Sequence, residues 1–155
     1  MAMRMELVAG PVATILDALA NEDREVLSDA ARFPAYLSLS GGMDPTWLDL
    51  FSESARLATD RELPVDFIDA RIDMGNSDGD GRTVERVDPS WISAVAAIPD
   101  ASLGSLTGRW IDRIEEELGD LPREEKPWIR ELAGRVVGFC RTADRAPDVL
   151  FVWEL

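Results

Sequence analysis

Histidine is absent from this 155-residue sequence, and cysteine occurs once, as Cys140, like lysine, as Lys126. Without an imidazole the usual Ser–His and Cys–His couples of nucleophilic catalysis cannot form. Zinc sites lose their usual ligands as well. A lone cysteine excludes an internal disulfide, which fits a reducing compartment. No apolar run approaches the roughly 20 residues that a membrane-spanning helix needs. The opening Met1-Ala2-Met3-Arg4-Met5 lacks the apolar stretch and small-residue cleavage site of a secretory signal, so a soluble, cytoplasmic protein is expected. Positive charge is scarce too. Sixteen basic residues face thirty acidic ones, for a net charge of −14. Such a surface repels phosphate backbones and anionic lipid, which argues against nucleic acid and membrane as partners and favours a basic protein or a cation.

Apolar residues make up 46% of the chain and include five Trp and five Phe, enough to bury one core. A single globular domain over residues 1–155 is the expectation. Residues 11–20 set Val12, Ile15, Leu16 and Leu19 at helical spacing. Asn21 is placed to cap a second helix, with Val26, Leu27, Ala30 and Ala31 on its apolar face. Residues 35–40 alternate like a short strand. Asp44-Pro45 opens a third helix carrying Trp47, Leu48, Phe51, Ala55 and Ala58 on one face. Residues 65–74 read as a strand alternating between Val65/Phe67 and Ile68/Ile72, and residues 75–83 as a loop. Asp88-Pro89 opens a fourth helix, Asp100 is placed to cap a fifth that Gly119 stops, and a sixth runs over residues 123–143. The apolar run 149–153 reads as a buried strand. The predicted fold is therefore α+β and mainly α, with about six amphipathic helices packed with a small sheet of two or three short strands.

Asp44-Pro45-Thr46-Trp47-Leu48 and Asp88-Pro89-Ser90-Trp91-Ile92 nearly repeat one another, and Lys126-Pro127-Trp128-Ile129 is a looser copy. Nothing beyond these residues matches. The likeness is read as shared helix-start chemistry: Asp as cap, Pro in the first turn, and an aromatic anchor.

Asn76-x-Asp78-x-Asp80-Gly81 resembles the first half of a calcium loop of the EF-hand type. The resemblance covers six residues and implies Asn76, Asp78 and Asp80 as metal ligands. The second half departs from the pattern, because the position of the closing bidentate Glu is held by Val87. Calcium binding, if present at all, would be weak, and a loop joining two strands explains the Asp-Gly-Asp-Gly run without metal. Other motifs point to structure. Glu115–Glu117 and Glu124-Glu125 fall on polar faces or in a first turn, and Gly104-Ser105-Leu106-Thr107-Gly108 lies inside an amphipathic helix. The glycine loops lack phosphate-cradling spacing.

The acidity is uneven. Residues 44–80 hold ten acidic side chains against three Arg, half the net charge in about a quarter of the chain. Asp66, Asp69, Asp73, Asp78 and Asp80 are the candidate acidic patch for steering a basic protein partner. The leading functional expectation is a non-enzymatic interaction module such as an adaptor, an inhibitor or an immunity- or antitoxin-type protein. The alternative is a divalent-cation-dependent enzyme, or a weak calcium binder, using the carboxylates of residues 66–80. A homodimer through exposed Trp or Phe is a third expectation.

Overall fold

The computed structural model describes residues 4–21, 26–27, 29, 32–39, 43–74 and 82–154, without the side chain of Asp73. Among the described residues, six helices and five strands make an α+β fold. The strands are β1 (Arg4–Ala9), β2 (Ala35–Ser38), β3 (Arg71–Asp73), β4 (Arg82–Val87) and β5 (Val149–Glu154). The helices are α1 (Val12–Ala20), α2 (Thr46–Thr59), α3 (Phe67–Ala70), α4 (Pro89–Ala96), α5 (Leu103–Leu118) and α6 (Lys126–Ala143). All neighbouring strands are antiparallel, in the order β2-β1-β5-β4-β3. The sheet is larger than the two or three strands expected. Among the described residues, no helix is long and apolar enough to cross a membrane.

Strand alternation splits the core in two. Met5, Leu7, Ala9, Leu37, Val87, Val149 and Phe151 face the main core with α2, α4, α5 and α6. Val8, Val84, Leu150 and Val152 point the other way, to a smaller core closed by Ile15, Leu19, Leu27 and Phe33. Because β5 lies between β1 and β4 with apolar residues on both faces, its sequence is a continuous apolar run.

Paired aromatic rings tie the main core together. Phe51 of α2 meets Trp110 of α5 edge to face at 5.1 Å and lies 6.5 Å from Trp91 of α4. Phe67 of α3 meets Trp91 at 4.9 Å and Phe151 of β5 at 5.0 Å. The buried indole N–H groups have acceptors: Trp91 donates to the Ser52 hydroxyl (3.0 Å) and Trp110 to the Trp47 carbonyl (2.9 Å). Each well-oriented ring pair adds about 0.5–1.5 kcal/mol beyond its buried area.

The helix-start chemistry of the near-repeat is realised twice. Asp44 accepts the Thr46 N–H at 2.7 Å, and Asp88 accepts the Ser90 N–H at 2.8 Å. Gly119, at φ 98°, ends α5 in a backbone conformation that favours glycine. Three expectations need correction. Asp100 opens a short 3-10 turn, and its carboxylate pairs with Arg141 at 2.8 Å rather than capping α5. Arg141 also donates to the Ile98 carbonyl, closing the segment after α4. The strand expected at residues 65–74 is instead one helical turn, α3, followed by the three-residue β3. Residues 82 and 83, expected in the loop, belong to β4. The second expected helix falls largely outside the described residues, although Val26 and Leu27 pack with the smaller core.

Charged residues on the strands form pairs of differing burial. Glu6, 1% exposed, accepts the Tyr36 hydroxyl at 2.7 Å and lies 3.4 Å from Arg4. Arg86 pairs with Asp148 at 2.7 Å. Buried Cys140 has its thiol pushed up by desolvation, so it sits in the core as a small apolar residue.

Burial, then the hydrogen bond to Glu6, pushes the Tyr36 phenol up to about 12 from 10.0. Tyr36 is the single tyrosine, so alkaline titration of the tyrosinate absorbance will show a midpoint near 12 in the native protein and near 10 in denaturant. Because the folded value is the higher, this group's contribution is full below pH 10 and falls as pH rises toward 12. Asp88 has the opposite sign. The Ser90 N–H holds its carboxylate below the usual range, so its cap stabilises at neutral pH and weakens in acid as pH falls through the depressed value. Asp88→Ala will cost about 1 kcal/mol in urea unfolding at pH 7, and the difference from wild type will shrink in acid.

Candidate interaction surface

The acidic segment sits where α2 ends and the chain turns back through α3 to the outer strand of the sheet. Asp49, on α2, accepts the Ile68 N–H of α3 at 2.7 Å. Arg56, one turn before the end of α2, pairs with Asp66 at 2.8 Å and donates to the Pro64 carbonyl at 2.8 Å. These tertiary bonds give residues 66–70 a helical turn in place of the extended alternation the sequence suggests. Phe67 is thereby drawn inward to Trp91 and Phe151, and Ile68 is left outside.

Of the predicted patch, Asp66 precedes α3 and Asp69 lies within it, and both charges act on Asp49 against that of Arg71. Asp69 is exposed, whereas Asp66 is partly neutralised by Arg56. Asp73 lies on β3. Asp78 and Asp80, and with them the Asn76-Asp78-Asp80 calcium-loop reading, lie outside the described residues. Among the described residues, no group of three Asp, Glu, Cys or His is placed to hold a metal ion. Asp49 joins Asp66 and Asp69 in this cluster. Desolvation raises its carboxyl above the usual range, with help from the Asp66 and Asp69 charges, while the Ile68 N–H and Arg71 pull it down.

Large apolar side chains are exposed in the same stretch of sequence. Among the described residues, six large hydrophobics are prominently exposed, and five of them, Leu57, Leu63, Val65, Ile68 and Ile72, fall between residues 57 and 72 at 37–59% exposure. Asp60 and Glu62 are exposed in the same stretch. The sequence holds a signal for this surface that charge counting misses. Leu57 lies off the apolar stripe of α2, and Ile68 and Ile72 form the half of the alternation opposite Phe67.

Behind this surface is a network at the sheet edge. Glu85 of β4 accepts the Trp153 indole N–H at 2.7 Å and lies 3.3 Å from Arg71. The Arg71 guanidinium stacks 5.5 Å from the Phe67 ring centre and 5.7 Å from that of Phe151. With side-chain exposures of 11% for Arg71 and 15% for Glu85, the pair is largely shielded from solvent screening.

Elsewhere, a cavity of about 570 Å³ opens between β2 and α6, with Phe33, Tyr36, Phe139 and Thr142 in its walls. Its cation, Arg135, is paired with Glu131 at 2.6 Å, and the Tyr36 hydroxyl is committed to Glu6. The remaining carboxylate clusters serve structure. Glu115 accepts the Leu121 N–H at 3.2 Å and pairs with Lys126 at 3.3 Å, and Arg113 gathers Glu53, Glu116 and Glu117.

No family model matches the chain, and no curated protein or solved structure matches it either.

The Asp49 geometry separates its hydrogen-bonding role from its charge. Asp49→Asn keeps an acceptor for Ile68 and will leave stability at pH 7 equal to wild type or slightly higher, whereas Asp49→Ala will lose about 1 kcal/mol in urea unfolding. Since the Asp49 value is raised in the fold, wild type loses stability relative to Asp49→Asn as pH climbs through the aspartate range.

Proposed function

We propose that this chain is a non-enzymatic protein-interaction module that holds a basic protein partner on the surface running from Leu57 to Ile72. The observation that carries the reading is the coincidence of two features: the segment 44–80, which holds half the net charge, also bears five of the six exposed large hydrophobics among the described residues. An acidic face kept only for solubility needs no apolar side chains within it. An interface uses both, because apolar contact supplies affinity while charge steers encounter and rejects acidic competitors.

A stable complex buries about 800 Å² on each partner, more than these side chains alone provide, so the partner extends over the neighbouring Asp60, Glu62 and Asp69. An adaptor, an inhibitor or an immunity-type protein would work this way, each by covering a basic surface on another protein.

The test compares proteins retained from source-cell extract by wild type and by an Ile68→Ser/Ile72→Ser variant. Both positions are exposed, so the variant keeps its core. Wild type is expected to retain a basic protein that the variant releases, with an association rate falling at least about tenfold between 0.01 M and 1 M salt. Identical sets of retained proteins, or association indifferent to salt, would overturn the proposal.

A further inference from the structure

The strand β3 carries Ile72, the last residue of the stretch proposed for the partner. β3 is the last strand of the sheet, and none of the described residues pairs with its far side. Its hydrogen-bonding phase follows from one contact. The Asp88 N–H donates to the Ala70 carbonyl at 2.8 Å, and the register sets Arg71 opposite Val87 and Ile72 opposite Arg86. In an antiparallel ladder, hydrogen-bonded and non-hydrogen-bonded pairs alternate. Ile72 therefore directs its backbone N–H and C=O inward to β4, and Arg71 and Asp73 direct theirs outward.

An edge with outward backbone groups beside exposed apolar side chains is a template for another strand. Ile72 is 48% exposed on this strand, and Ile68, on the turn leading into it, is 59% exposed. Asp69 lies two residues before this strand, and Asp60 and Glu62 are exposed earlier in the same stretch of sequence. They disfavour a second copy of this acidic chain and favour a positively charged strand. The edge is also braced from within, because the Arg71 side chain is held by Glu85 and by the rings of Phe67 and Phe151. A preorganised edge lowers the ordering cost of binding.

We infer that β3 receives an extended segment of the partner as an additional strand of the sheet, a segment alternating Lys or Arg with apolar residues. The inference rests on the surface reading above and adds the mode of recognition. Backbone hydrogen bonds to Arg71 and Asp73 supply affinity, Ile72 receives the apolar side chains, and the carboxylates receive the basic ones.

The test uses the full chain and a synthetic peptide of alternating Lys and Val, with two backbone N-methylated versions blocked at alternate residues in opposite phase, and a scrambled version. Methylation in one phase is expected to weaken binding at least about tenfold while the other phase binds like the parent. Amide exchange at Arg71 and Asp73 is expected to slow at least about tenfold on peptide addition. Ile72→Lys, at an exposed position, will weaken the parent peptide similarly. Equal binding by both phases and by the scrambled peptide would overturn strand addition and leave the charged-surface reading standing. Absence of binding by every basic peptide would also overturn strand addition, and the retained-protein comparison then judges the surface reading separately.

Discussion

The interaction on which the architecture most depends is the run of aromatic contacts from Trp110 through Phe51, Trp91 and Phe67 to Phe151. It links α5, α2, α4, α3 and β5, elements far apart in sequence, through rings whose edges and faces attract one another. Phe67 is the pivotal member. With its ring held between Trp91 and Phe151, the neighbouring Ile68 and Asp69 have nowhere to go but outward. The proposed interaction surface is in this sense the reverse side of the core. The Arg71 guanidinium closes the run over the last two rings, and Glu85 and Trp153 anchor it to the sheet.

The helices were legible because their residues obey one rule at a time. Trp47, Leu48, Phe51 and Ala55 of α2 follow a 3.6-residue period, Asp44 and Asp88 supply the local capping chemistry, and Gly119 ends α5. The strands β1 and β4 were hidden for a different reason. In Arg82–Val87 neither face is apolar throughout, since Glu85 serves Trp153 and Arg71 while Arg86 serves Asp148. In Arg4–Ala9 the buried Glu6 interrupts the pattern, and its partner Tyr36 lies thirty residues away. Buried charge looks like surface until its partner is known.

The acidic segment was visible as composition, but composition does not say which carboxylates meet. Asp66 and Asp69 come together with Asp49 because a side chain of α2 holds the backbone of α3. That tie spans nineteen residues and leaves no local mark. By alternation alone, the exposed Ile68 and Ile72 form one face of a strand. Their exposure depends on the helical turn that replaced half of that strand, a tertiary override of local preference.

The position of β5 has a consequence for how the chain reaches its fold. The pair β2-β1 comes from the first forty residues and the pair β3-β4 from the middle of the chain, and the two are bridged only by Val149–Glu154. Among the described residues, the two ribbons share no backbone pairing except through that segment. Closing the sheet joins Arg4 to Glu154, nearly the full span of the sequence, and contacts of such long reach slow folding. β5 is thus the keystone of the sheet: a truncation or strain in the last six described residues is felt by strands from both the beginning and the middle of the chain.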